Sequence, residues 1–179
     1  MQSLTERMIG AAKLQVPTYE EVEHDRGATG QAALIVVLAS LAAGIGAIGG
    51  GGIGYLLLNA VAALLGWLIW AALIWAIGTK LLPEAQTEAD VGQLLRTLGF
   101  AATPGLLRIF GIIPVIGTLV VFVVSIWMLA TTVIAVRQAL DYQSTLRAVG
   151  VCIVGWLIQL LILGLFVGSG GLSGTAPGM

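Results

Sequence analysis

The chain has 179 residues, of which 58% are hydrophobic and only 9% are charged. Soluble domains carry about 25% charged residues, so this composition excludes a soluble globular protein, because too few charges are present to cover a water-exposed surface. The net charge of −1 at pH 7 also argues against a nucleic-acid partner, which requires clustered lysine and arginine. We therefore expect a fold that is solvated by the lipid bilayer.

The first 27 residues are polar and acidic, and they are predicted to form a cytoplasmic N-terminal segment. Residues 28–168 are predicted to form the membrane domain, and the Gly/Ser-rich residues 169–179 a flexible tail. The acidic stretch at residues 19–25 is interpreted as a solvated face near the membrane. The alternative is a docking patch for a basic partner.

Two capping-box spacings occur within the N-terminal segment. Ser3 with Glu6 predicts the start of a short helix. Its apolar positions lead us to interpret residues 3–14 as an interfacial helix, with a disordered tail as the alternative. Thr18 with Glu21 predicts a second helix start in the same way.

Five long apolar segments predict an all-α fold, a membrane helical bundle with five transmembrane helices. A helix needs about 20 mostly apolar residues to cross a hydrocarbon core about 30 Å thick. The connections between the segments are short, so consecutive helices are expected to be antiparallel. The predicted spans are residues 31–49, 55–78, 91–110, 116–136 and 148–167.

The basic residues indicate how this bundle is oriented. Of the eight lysines and arginines, Arg108 alone lies on the side opposite the N-terminus. The positive-inside rule then predicts a cytoplasmic N-terminus and an outside C-terminus, in a membrane that we take to be a prokaryotic plasma membrane. The seven residues on the N-terminal side are Arg7, Lys13, Arg26, Lys80, Arg96, Arg137 and Arg147.

The third predicted span contains two prolines around a lone arginine. Pro104 lacks a backbone donor and clashes with the preceding turn, so the third helix is predicted to be kinked or broken there. A packing kink and a discontinuous helix at a transport site are both compatible with this pattern. The second proline is Pro114, and Arg108, between the two prolines, is interpreted as a lipid anchor. If Arg108 faces inward, an anionic headgroup or substrate is the expected counterion, since no predicted span contains Asp or Glu.

Other polar residues within the spans suggest packing rather than chemistry. Asn59 and Gln159 are predicted to form interhelical contacts. Residues 44–49, GIGAIG, match a dinucleotide-binding pattern outside its strand–helix context and are interpreted as close helix packing. The only histidine, His24, lies in the acidic segment, and Cys152 is the only cysteine. No catalytic, cofactor or metal site is therefore predicted.

Several segments together resemble the Yip1-domain family of five-span membrane proteins. They are GFAATP, with Gly99 and Pro104, then Trp127, and the loop IAVRQALDYQSTLRAV, with Arg147. The resemblance covers roughly residues 7–168 and implies a cytosolic N-terminus, five spans and an outside C-terminus. Eukaryotic relatives carry longer cytosolic regions and are associated with Rab-type GTPases and early secretory traffic. The start of this chain, VPTYEEVEHDRGATGQAAL, is similar to that of short-tailed prokaryotic members.

The leading hypothesis is a non-enzymatic integral membrane protein that organises membrane or recruits a protein partner. Its cytoplasmic face is predicted from residues 1–27, 80–90 and 138–147. The alternative is a small permease, channel or lipid-translocating protein that uses the broken third helix. Glycine-rich faces are compatible with a homo-oligomer. The candidate functional or structural residues are Gly99, Pro104, Arg108, Pro114, Asn59, Gln159, Trp127 and Arg147.

Overall fold

A computed structural model describes residues 2–47 and 52–172, and within these ranges the chain is helical without strands. A π-helical turn, Ile77–Leu81, continues α4, and a 3₁₀ helix, Thr103–Ile112, follows α5. The α-helices are α1 (Leu4–Ala12), α2 (Val16–His24), α3 (Ala28–Gly46), α4 (Ile53–Ala76), α5 (Val91–Ala101), α6 (Gly117–Ala139) and α7 (Thr145–Leu172).

Four helices in the described part of the chain are long and apolar enough to cross a membrane. They are Ala28–Gly46, Ile53–Leu81, Gly117–Ala139 and Thr145–Ile162. The third predicted span has no single long helix, because α5 ends at Ala101 and the 3₁₀ helix begins at Thr103. Helix α7 continues to Leu172, so it includes the first four residues of the predicted tail. The remainder of that tail, residues 173–179, lies outside the described residues.

The first helix begins as its sequence predicts, and the second does not. Ser3 accepts a hydrogen bond from the backbone of Glu6, whose carboxylate accepts one from the backbone of Ser3 at 2.7 Å. The capping box predicted from Thr18 is wrong, because α2 begins earlier, at Val16, and Thr18 is buried inside it. Pro17 occupies the first turn of α2, where its missing N–H has no helical partner to lose.

Helices α1 and α2 form an N-terminal hairpin, residues 4–24, that packs against α5 and α6. Tyr19 is fully buried, and its hydroxyl donates to the carbonyl of Ala11 at 3.0 Å. On α6, the indole Nε1 of Trp127 donates to the carbonyl of Ala12 at 2.7 Å. The hairpin is therefore packed on the side of the bundle.

Small residues bring α3 close to the segment formed by α5 and the 3₁₀ helix. A Cβ atom built on Gly99 would lie 2.5 Å from the Cβ of Ala32. At the other end of α3, a Cβ on Gly46 would collide with the backbone carbonyl of Arg108. Backbones can approach this closely only where side chains are minimal, and the two contacts align the segment with α3 along most of that helix.

Candidate functional site

Polar contacts concentrate at one end of the bundle, which we call the polar end. It consists of the N-terminal hairpin, the first turns of α5 and the loops at residues 82–90 and 140–144. All nine acidic residues of the sequence belong to these segments or to the hairpin's junction with α3: Glu6, Glu20, Glu21, Glu23, Asp25, Glu84, Glu88, Asp90 and Asp141.

A buried arginine connects the hairpin with α3. Arg7 is 2% exposed, and its Nη2 lies 2.9 Å from Glu21 Oε1 and 2.8 Å from Asp25 Oδ2. Its Nη1 donates to Gln31 Oε1 at 3.0 Å. The hydrogen bond from Arg7 lowers the pKa of the Asp25 carboxyl. The buried cation is thus paired and hydrogen-bonded, as its desolvation requires.

A second buried arginine holds the end of α2. Arg96 Nε donates to the carbonyls of Val22 at 3.1 Å and Glu23 at 2.9 Å, and its Nη2 also donates to Glu23. Carbonyls in the last turn of a helix have no partner within it and carry its negative dipole end. Arg96 of α5 therefore caps the C-terminus of α2 and fastens the hairpin to the bundle.

The Glu23 side chain is buried at this junction between α2 and α5. It is 3% exposed and accepts a hydrogen bond from Gln93 Nε2 at 3.0 Å. Burial, supported by the charge of Asp141, raises the pKa of Glu23 to about 7. This carboxyl therefore changes its protonation near neutral pH, at the point where the hairpin meets the bundle.

The two interhelical loops of the polar end are bonded to each other. Arg147 Nη1 donates to the carbonyl of Pro83 at 2.8 Å, and its Nε lies 3.6 Å from Glu84 Oε1. The backbone N–H of Gln143 donates to Glu84 Oε2 at 2.9 Å. The loop after α4 and the loop after α6 therefore form one polar surface.

Tyr142 connects the loop after α6 to the end of α4 beneath this polar surface, where its side chain is buried. Its hydroxyl lies 2.7 Å from the carbonyl of Leu82 and 2.9 Å from that of Gly78, both acceptors at the end of the π-helical turn. Burial raises the pKa of Tyr142 to about 12. The tyrosine thus satisfies carbonyls that the irregular end of α4 leaves without helical partners.

An apolar groove of about 320 Å³ lies between α1 and the 3₁₀ helix. Pro104 is buried in the first turn of the 3₁₀ helix and forms part of its wall. Since α-helical geometry has ended three residues earlier, this wall belongs to a segment of changed helical type. Residues that line the groove include Met8, Ile9, Ala12, Pro104, Leu107 and Trp127.

Arg108 lies at the other end of the bundle, against the end of α3. Its Nη2 donates to Ser125 Oγ of α6 at 3.2 Å. Its Nε is buried and has no hydrogen-bond partner among the described residues. Instead of extending away from the bundle, the guanidinium is directed toward a neighbouring helix.

A comparison with protein-family models matches the Yip1 domain over residues 14–166, which is most of the chain. The chain belongs to the Yip1-domain family. The resemblance drawn from GFAATP, Trp127 and the loop ending at Arg147 is thereby confirmed. Neither the curated proteins nor the solved structures compared with this chain gave a significant match.

The remaining candidate residues of this Yip1-domain protein are dispersed. Gly99 lies at the contact between α5 and α3, and Pro114 is exposed in the turn before α6. Asn59 is half-buried on α4, whereas Gln159 is exposed on α7. The Asn59 amide nitrogen lies beside Gly44 of α3, 3.5 Å from the position of a Cβ there. Hydrogen bonds from Asn59 or Gln159 to another helix stay a prediction.

Sequence reasoning missed the residues that build the polar end. The sequence marks Arg7 and Arg96 only as basic residues that indicate orientation, and Glu23 only as part of an acidic stretch. Tyr142 lies in the family-like loop but carries no distinguishing local signal. These roles depend on contacts between distant parts of the chain. Within residues 2–47 and 52–172, no three His, Cys, Asp or Glu residues are grouped so as to hold a metal ion.

Proposed function

We propose that this Yip1-domain protein crosses the membrane five times, with its N-terminus in the cytoplasm and its C-terminus outside. The bonded loops of the polar end support an additional crossing between α4 and α6. Glu84 follows α4 and contacts Gln143, which follows α6, so both loops lie on one side. Because α6 is itself long enough to span, the chain must return across the membrane before α6 begins.

The course of α5 and the 3₁₀ helix supports the same count. They accompany α3 from the Gly99–Ala32 contact to the Arg108–Gly46 contact. Residues 32 to 46 of a helix correspond to about 21 Å at 1.5 Å per residue. A segment that runs parallel to a spanning helix over this length is suited to cross beside it.

Cysteine labelling tests this topology. In a Cys152→Ala background, Glu88→Cys in the exposed loop after α4 and Val115→Cys in the exposed turn before α6 are treated with a membrane-impermeant maleimide. Five crossings predict labelling of Val115→Cys on intact cells and of Glu88→Cys only after permeabilisation. Ser144→Cys should behave like Glu88→Cys. Labelling of positions 88 and 115 from the same side would contradict the five-pass topology.

The function that the geometry supports best is a non-enzymatic one, in which the polar end faces the cytoplasm and organises membrane or recruits a protein partner. The observation that carries it is the construction of this end, where two loops distant in sequence are fixed to each other and the hairpin is fixed to α5. A fixed surface presents its charged groups without the entropic cost of ordering them on binding. Glu20, Glu88 and Asp141 are among its exposed charged residues.

Site-specific photocrosslinking tests this role without disturbing the fold. A photoreactive residue is placed at Glu20 or Glu88 in living cells, and the matched control carries it at Val115 on the other side. We expect a discrete crosslinked protein from the polar-end positions, and its yield should fall on charge reversal at the neighbouring Asp141. The absence of crosslinked products at both polar-end positions would count against recruitment.

A second candidate is a small permease, channel or lipid-translocating protein. The apolar groove beside Pro104 favours it, because the wall of the groove is formed where the helix changes type. Reconstitution into vesicles, with assays for headgroup flipping and anion flux, tests this candidate through the wild type and the Pro104→Ala and Arg108→Ala variants. If the wild type shows no flux, or if both variants retain the full wild-type flux, this candidate function is contradicted.

A further inference from the structure

We propose that Arg108 and Ser125 form a binding site for a phosphate group at the end of the bundle remote from the polar end. The geometry of Arg108 supplies the first reason. Its Nη2 is bonded to the neutral Ser125 hydroxyl, while its Nε is buried without an acceptor among the described residues. A desolvated donor that lacks an acceptor is costly, and an anionic oxygen at this position would remove that cost.

The charge distribution supplies the second reason, because the chain offers Arg108 no side-chain carboxylate. All nine acidic residues lie in the hairpin, at its junction with α3, or in the loops at residues 82–90 and 140–144. Arg108 lies against Gly46, at the end of α3. Among the described residues, the ion pairs with carboxylates are made by Arg7 and Arg147, and none is made by Arg108. The residues outside the described ranges contain no Asp or Glu either.

The Ser125 hydroxyl already has both a donor and an acceptor within the protein. The Ser125 hydroxyl donates to the carbonyl of Val121 at 2.8 Å and accepts from Arg108. It orients the guanidinium without neutralising it. Arginine presents planar pairs of donors that match two oxygens of a phosphate. A phosphate monoester or diester therefore matches the free donors of the Arg108 guanidinium better than a spherical halide ion does.

The level of the site indicates where such a group comes from. Ser125 is eight residues from the start of α6 at Gly117, or about 12 Å along the helix. Both a phospholipid headgroup and a soluble phosphate entering from that side present the same oxygens, so the experiment has to separate them.

Binding is measured on the full chain in a detergent with a sugar headgroup, which contributes no phosphate. The probes are short-chain phosphatidylglycerol, inorganic phosphate and, as a phosphate-free control, a diacylglycerol of equal chain length. We expect saturable binding of a phosphate-bearing probe by the wild type and binding at least about tenfold weaker by Arg108→Gln, the loss of one charge-assisted hydrogen bond. Arg26→Gln, which removes an exposed positive charge at the polar end, should bind like the wild type.

The arms of the experiment identify the source and expose a failure. Binding of phosphatidylglycerol alone assigns the site to a lipid headgroup, and competition by inorganic phosphate assigns it to the soluble ion. Arg108→Lys keeps the charge without the planar donor pair, so its affinity should be intermediate, and it replaces Arg108→Gln if that variant does not fold. Equal affinity of the wild type and the Arg108 variants for both phosphate probes would overturn the proposal.

Discussion

At the scale of single residues, Arg96 shows how a charge in a membrane protein can be used without a carboxylate partner. Its guanidinium is 6% exposed and bonds to two backbone carbonyls at the end of α2. Removing it leaves the Val22 and Glu23 carbonyls buried without donors. Each of the two unsatisfied carbonyls would then destabilise the folded protein.

Arg96→Met, which keeps most of the side-chain volume, is expected to destabilise the protein by about 2 to 4 kcal/mol, because two acceptors lose their donor. Thermal unfolding in detergent measures this as a lower Tm. The control is Arg26→Met, since Arg26 is exposed, and its Tm should stay close to that of the wild type. Equal Tm values for the two variants would show that the cap contributes nothing.

Glu23 makes the stability of the same junction depend on pH. Its pKa rises from 4.5 to about 7, chiefly through burial, with Asp141 and Glu20 adding to the rise and His24 and Arg96 opposing it. A carboxyl with a raised pKa in the folded state binds more protons there than in the unfolded state. Stability therefore falls as the pH rises from about 4.5 through 7.

Glu23→Gln should abolish this pH dependence, because the amide keeps an acceptor for Gln93 and does not titrate. At pH 8 the variant should be more stable than the wild type by roughly 1 to 3 kcal/mol, given about 1.4 kcal/mol per pKa unit. The two should converge toward pH 5. Unfolding curves recorded between pH 5 and pH 8 measure the difference, and parallel pH profiles would rule out Glu23 as its source.

At the scale of elements, the contact between α3 and α5 depends on a missing side chain. A Cβ on Gly99 would lie 2.5 Å from the Cβ and 3.0 Å from the Cα of Ala32, and neither atom can move without its backbone. Gly30, which lies on α3, has no atom within 4 Å of the position of a Cβ. The two glycines are thus chemically identical and differ only in their surroundings.

Gly99→Ala is expected to cost about 1 to 3 kcal/mol through overpacking. Gly30→Ala should be neutral or stabilising by up to about 1 kcal/mol, because alanine favours the helix. Comparing the two Tm values separates the helical preference of alanine from the contact with Ala32. A Gly99→Ala variant as stable as Gly30→Ala would mean that α5 can withdraw from α3 without cost.

Elements with a local cause were predictable from the sequence, and those with a distant cause were not. The apolar runs of α3, α4, α6 and α7 carry their own signal, and so does the capping box at Ser3. Thr18 has the same spacing, but burial of its side chain in the hairpin overrides that local preference. The docking of α1 and α2 depends on Arg7, Arg96 and Trp127, whose partners lie 14 to 115 residues away.

At the scale of the whole molecule, the N-terminal hairpin packs as part of the bundle. The sequence predicts a cytoplasmic segment for these residues and gives no signal for this packing. Three contacts join the hairpin to the bundle: Arg7 of the hairpin bonds to Gln31 of α3, the end of α2 accepts from Arg96 of α5, and Ala12 accepts from Trp127 of α6. These contacts are independent of the covalent connection between α2 and α3. Deletion of the first 27 residues would therefore remove packing as well as a surface.

A nicking experiment tests whether these contacts suffice. A protease site inserted between Arg26 and Gly27, both exposed, allows the chain to be cut after purification in detergent. We expect the cut hairpin to remain bound and to co-elute with the bundle in size-exclusion chromatography. Combining the cut with Arg96→Met should release it, whereas Arg147→Met should not, because Arg147, at the start of α7, bonds to Pro83 and Glu84 rather than to the hairpin. A hairpin that dissociates from the otherwise unaltered bundle would show that the covalent link, rather than the buried arginines, holds it in place.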